Sequence, residues 1–207
     1  MSIMSTVAIK ERPILFSAPM VLAILANLKT QTRRIIKDVQ PKQGSQPYDT
    51  WKGWSLDSGD RPGVFCPYGA PGDRLWVRET CCAEELPSGL DGVRYAADNA
   101  FIEIQNTQAA SDRWCELYAY GKSRGKQVPS IHMPRWASRI TLEITDVRVE
   151  RLQDISYEDC IAEGWEPACG IGADYWYQEL WEEINGAGSW AENPWCWVVK
   201  FKLVSRY

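Results

Sequence analysis

Apolar and polar residues alternate most strictly in SRITLEITDVRVERL, Ser138 to Leu152. Ile140, Leu142 and Ile144 alternate with Thr141, Glu143 and Thr145, and Val147 and Val149 alternate with Arg148 and Glu150. A period of two predicts a long strand with one buried face. A bend near Asp146 is expected, as in a curled sheet or barrel. RPILFS, Arg12 to Ser17, is a shorter β-rich run that leads into MVLAILANL. There Met20, Ile24 and Leu28 recur at helical spacing, with Ser17 at the N-cap position and Pro19 in the first turn. This helix is expected to end near residues 27–29, where Lys29 would meet the negative end of its dipole.

Further along, APGDRLWVRET reads as a turn followed by a strand in which Leu75 and Val77 alternate with Trp76 and Arg78. DISYEDCIAEGW reads as a capped helix, with Ser156 three residues ahead of Asp159 and Gly164 as a natural stop. DYWYQELWEEIN predicts a second amphipathic helix with Trp176, Leu180, Trp181 and Ile184 on one face. NPWCWVVKFKLV closes the pattern as a strand. Two stretches lack a sustained period, at about 37–70 and 83–136, and are expected as long irregular insertions. The second contains a short strand around GVRYAAD and a basic, proline-punctuated segment, KSRGKQVPSIHMPRWA. Strands and helices in this order predict one α+β domain, a small mixed β-barrel with flanking helices and two long loop insertions.

Composition narrows the function classes. The 207 residues suffice for a proper core, and 45% are apolar and 24% charged, ordinary for a globular protein. No apolar run approaches the ~20 residues of a membrane span. MSIMSTVAIKERPILF lacks the features of a signal peptide, so a cytoplasmic protein with no membrane partner is expected. The net charge of −4 excludes a global basic field for long nucleic acid and leaves a local patch or a one-nucleotide pocket. Seven cysteines without a Cys-x-x-Cys spacing read as reduced thiols rather than a metal site, and His132 is the only histidine. No metal and no cofactor are therefore expected. The 11 tryptophans supply rigid packing surface and stacking platforms.

The segment NLKTQTRRII, Asn27 to Ile36, places a Lys, two Thr and two Arg directly after the first helix. Such residues suit an anion-handling or catalytic edge, and they equally suit a helix cap and a solvated strand. The ordered series ILFSAPMVLAILANLKTQTRR, PGDRLWVRE, ITLEITDVRVERLQDISYEDCIAEGW and NPWCWVVKFKL resembles the ASCH domain, a family related to the RNA-binding PUA domains. PSIHMPRWASRITLEITDVRVERLQDI is similar to the prophage-encoded branch of that family. The resemblance implies a PUA-like fold. One enzymatic branch removes the acetyl group from N4-acetylcytidine with a Lys and a Thr in a Lys-x-x-Thr segment and a Glu on a later helix. Carried onto this chain, these residues are Lys29, Thr32 and Glu163.

That chemistry is coherent. A Thr hydroxyl needs a base to become a nucleophile, a Lys can act as that base when its pKa is lowered, and a Glu can pass a proton to a departing amine. Arg33, Arg34, Arg78, Glu79, Arg135 and Trp136 are the candidate substrate-binding residues. Arg33 and Arg34 read equally as partners of surface carboxylates, Arg78 and Glu79 as an exposed strand end, and Trp136 as a plug for the barrel end. The expected partner is a modified nucleoside or RNA. The alternative to an amidohydrolase is an RNA-binding PUA-like module, with ribonuclease activity in one variant of that reading. The oligomeric state is not legible.

Overall fold

The computed structural model describes residues 9–36, 66–122, 124–167 and 170–206. They form a mixed α+β structure. Its strands are β1 (Glu11–Leu15), β2 (Gln31–Ile35), β3 (Arg74–Arg78), β4 (Cys81–Glu85), β5 (Asp91–Tyr95), β6 (Phe101–Glu103), β7 (Ile140–Arg151) and β8 (Trp195–Arg206). Its helices are α1 (Ala18–Leu25), α2 (Gln108–Tyr118), α3 (Tyr157–Ala162) and α4 (Ala173–Asn185). One sheet has the order β1-β3-β7-β8-β2 and a second the order β4-β5-β6. The first order ends at β1 and β2 among the described residues, so its pairing is that of an open sheet.

In β7 the predicted inward residues Ile140, Leu142, Ile144 and Val147 are all buried, while Thr141, expected outward, is buried too and Val149, expected inward, is only half-buried. β8 runs beside it with Cys196 through Val199 buried. β2 pairs antiparallel with β8, setting Gln31 opposite Lys200, Thr32 opposite Val199 and Arg33 opposite Val198.

The chain divides into two compact units. The first holds the described residues within 1–10, 28–74 and 143–202. Leu152, Cys160, Trp165, Ala173, Tyr177, Trp181 and Cys196 form a core cluster there. In α4 the buried line is Ala173, Tyr177 and Trp181, while Ile184, expected on the buried face, is 52% exposed in the last turn.

The second unit holds those within 11–27, 75–142 and 203–207. It contains most of a stretch expected to be irregular, which is instead built: β4, β5, β6 and α2 enclose Ala83, Val93, Tyr95, Trp114, Leu117, Val128 and Met133. Its strands are only three to five residues long, and α2 buries just Trp114 and Leu117, so no sustained period marks them. Gly92 is required in β5, because a Cβ there would lie 2.3 Å from the Phe101 ring and 2.6 Å from the Ile102 carbonyl. The other expected insertion, 37–70, lies outside the described residues except for its end, 66–70.

Candidate functional site

The local structure after α1 decides where Lys29 goes. α1 ends at Leu25, and Asn27 turns the chain in the left-handed region with φ of 58°, which Asn tolerates better than most residues. Lys29 therefore does not cap α1, as the sequence suggested. Thr30 instead donates its N–H to the Ala162 carbonyl at 2.8 Å and accepts from Phe201 N–H at 2.8 Å. These bonds tie the segment to the end of α3 and to β8.

At that end of α3, Glu163 is the C-cap residue, and Gly164 stops the helix with φ of 106°. Lys29 Nζ lies 2.6 Å from Glu163 Oε2 and 3.0 Å from the Glu163 carbonyl oxygen. A cation thus meets a helix C-terminus after all, but that of α3. Lys29 is 2% exposed and Glu163 5%.

Burial dominates the electrostatics. Loss of water pushes the Lys29 ammonium below its ordinary pKa; the Glu163 carboxylate opposes this and the Arg34 charge adds to it. Glu163 Oε1 is buried with no hydrogen-bond partner among the described residues. Such an orphaned carboxylate oxygen is costly in a folded interior. Burial, with Glu163 nearby, also drives the Tyr177 phenol well above its usual range.

Thr32 is 3% exposed on β2. Strand alternation sets it on the face of Arg34, opposite that of Gln31 and Arg33. The structure thus brings Lys29 and Glu163 together and carries Thr32, buried, three residues beyond Lys29.

The remaining candidates have defined places. Arg33 Nη2 reaches Glu150 at 2.9 Å and Asp159 at 2.7 Å. Arg34 is half-buried at the other face of β2. Glu79 is held by Arg139 through two bonds of 2.8 Å, Arg139 also reaches Asp98 at 2.7 Å, and its guanidinium lies 4.2 Å over the Tyr95 ring. Arg78 donates to the Ile131 carbonyl and lies 5.4 Å over the Trp76 ring. Arg135 pairs with Glu11 at 2.9 Å and lies 5.8 Å from the same ring. Trp136 packs against the core cluster of the second unit.

Sequence reasoning missed Arg148, Glu150 and Arg139 as charged partners, since each sits in a strand pattern where it counts only as the polar half of the alternation. Asp159 was visible as a helix cap but not as an ion-pair partner. Among the described residues no group of His, Cys, Asp and Glu is arranged to hold a metal ion, the six described cysteines are free thiols, and no helix is long and apolar enough to cross a membrane.

No protein-family model matches the chain, and no curated protein matches it significantly. Among solved structures it is similar to an ASCH domain from Lactobacillus crispatus JV V101, with 11% identity over 95% of this chain and 81% of that one and a TM-score of 0.43. It is also similar to protein EF3133 of the DUF984 family from Enterococcus faecalis V583, with 10% identity over 91% of this chain and 69% of that one and a TM-score of 0.40.

Proposed function

We propose that the chain is an amidohydrolase acting on an N4-acylated cytidine or a similar modified nucleoside, with Lys29, Thr32 and Glu163 as the catalytic residues. The observation that carries this reading is the buried Lys29–Glu163 pair at 2.6 Å, one carboxylate oxygen of which has no partner among the described residues. A purely structural pair would be expected to satisfy both oxygens.

Burial disfavours the ammonium with carboxylate, which carries two charges, relative to the amine with carboxylic acid, which carries none. The second form supplies a base and an acid at once. Thr32 Oγ attacks the acyl carbonyl carbon as the Lys29 amine takes its proton. The bond from that carbon to the exocyclic nitrogen breaks as Glu163 gives its proton to the nitrogen, and cytidine leaves. Water then attacks the acyl-threonine ester, yielding its proton to the Glu163 carboxylate, and Lys29 returns a proton to Thr32 Oγ. The carboxylic acid departs and both groups regain their starting protonation.

A second reading is favoured by one feature of the second unit. Arg78 and Arg135 both lie close to the Trp76 ring, at 5.4 and 5.8 Å from its centroid, and the Arg135 side chain is 44% exposed. An aromatic ring with guanidinium groups close by is an arrangement suited to stacking a base and meeting a phosphate. One experiment addresses both readings: hydrolysis of a panel of N-acylated nucleosides, run beside a salt-dependent RNA gel shift. The amidohydrolase reading predicts turnover of N4-acetylcytidine and weak RNA binding. An inert protein that shifts RNA in an Arg135-dependent way would replace it with the binding module.

A further inference from the structure

Lys29 and Arg33 are four residues apart on one side of the pairing between the β2 segment and α3, and Glu163 and Asp159 are four apart on the other. Lys29 pairs with Glu163 at 2.6 Å and Arg33 with Asp159 at 2.7 Å. An extended segment of four residues spans about 13 Å, and four residues of helix about 6 Å. Two long basic side chains converge across that mismatch onto two acids. One contact alone would let so short a helix pivot; two set both its slide and its rotation. α3 itself is six residues long and buries only Asp159 and Cys160, and the Thr30 N–H bond to the Ala162 carbonyl fixes its end without setting its rotation.

We infer that Asp159, acting through Arg33, is a positioning residue that holds α3 so that Glu163 stands against Lys29. Three further bonds mark it as an anchor. Arg148 Nη2 donates to its two oxygens at 2.8 and 2.9 Å, and its backbone N–H donates to Ser156 Oγ at 3.1 Å. Arg33, in turn, has no exposed side-chain surface and also holds Glu150, so it belongs to this brace rather than to a substrate contact. The inference rests on the proposed roles of Lys29 and Glu163.

The charged and titratable groups around the Lys29–Glu163 pair are Cys160 from α3, Arg33 and Arg34 from β2, Tyr177 from α4 and Cys196 from β8. When α3 shifts, Lys29 loses both the carboxylate that favours its charged form and part of the burial that opposes it, so its titration departs from that of the wild type.

The test compares Asp159→Asn with Ser156→Ala, which removes a capping bond of α3 and leaves the Arg33 contact alone. Two readouts are taken: kcat and KM on N4-acetylcytidine, and the titration of Lys29 followed by NMR of ε-13C-labelled lysine. Asp159→Asn is expected to lower kcat by about 10²-fold with KM nearly unchanged, and to move the Lys29 titration away from its wild-type position. Ser156→Ala is expected to resemble the wild type in both. The double variant Arg33→Met/Asp159→Leu leaves neither member of the pair charged and carries the same test if Asp159→Asn does not fold. If Asp159→Asn and Ser156→Ala behave alike in both readouts, Asp159 is only a helix cap and the inference is overturned. If the wild type has no activity, the amidohydrolase reading fails, and the Lys29 titration alone decides the positioning role.

Discussion

A lysine with 2% of its surface exposed is unusual, since lysine is almost never fully buried without a partner. Its partner has one oxygen bonded and one left over. The stability cost and the proposed chemistry therefore sit in the same two side chains. Glu163→Gln leaves an uncompensated buried ammonium and should cost about 3–5 kcal/mol at neutral pH. Because burial lowers the Lys29 pKa in the folded state, the unfolded chain binds the extra proton between that lowered value and about 10.4. Stability should rise with pH across that window, and over a wider window for Glu163→Gln, whose Lys29 titrates lower still. Urea unfolding at a series of pH values checks both the sign and the difference. Lys29→Met/Glu163→Leu, by contrast, should unfold at the wild-type urea concentration or above it, since well-packed apolar replacements of a buried pair are often neutral or stabilising by 1–4 kcal/mol. A marked loss of stability in that double variant would mean that the pair is held for the fold.

α3 shows what a sequence reveals about an element and what it withholds. Its start was legible from Ser156 and Asp159, which form a capping box, and its end from Gly164. Ser156→Ala should destabilise by about 1 kcal/mol in urea unfolding. What α3 packs against was not legible, because Lys29 and Glu163 are 134 residues apart and neither lies in a pattern that names the other. β7 was legible for the opposite reason, since twelve residues of alternation outweigh local noise. β4, β5 and β6 carry too few residues each to show a period, and α2 (QAASDRWCELY) is polar on most of its surface. Arg139 escaped notice because it looks like the polar entry to a strand, yet it is 4% exposed and holds both Glu79 and Asp98. Glu79→Ala would leave Arg139 with Asp98 alone among these carboxylates and should cost several kcal/mol by the same logic as Glu163. A shift of less than about 1 kcal/mol in urea would contradict that assignment.

At the scale of the whole molecule, β7 and β8 contribute residues to both units. Their inner positions are fully buried, with Ile140, Leu142, Val198 and Val199 at 0% exposure. Amides of β7 and of Cys196 to Val199 should therefore exchange with solvent most slowly, and those of β1, at an edge of the sheet order, faster. Hydrogen exchange read by mass spectrometry distinguishes this from uniform protection. Such a rigid sheet would hold Thr32 in register opposite Val199 while the α3 end carries Glu163, which is the division of labour the proposed reaction needs. The most direct test is the release of acetate from N4-acetylcytidine by the wild type, Thr32→Ala and Lys29→Arg, each checked for folding. The account predicts turnover by the wild type and none above background by either variant, because one lacks the nucleophile and the other carries a guanidinium that keeps its proton. Wild-type rates retained in Thr32→Ala would contradict it.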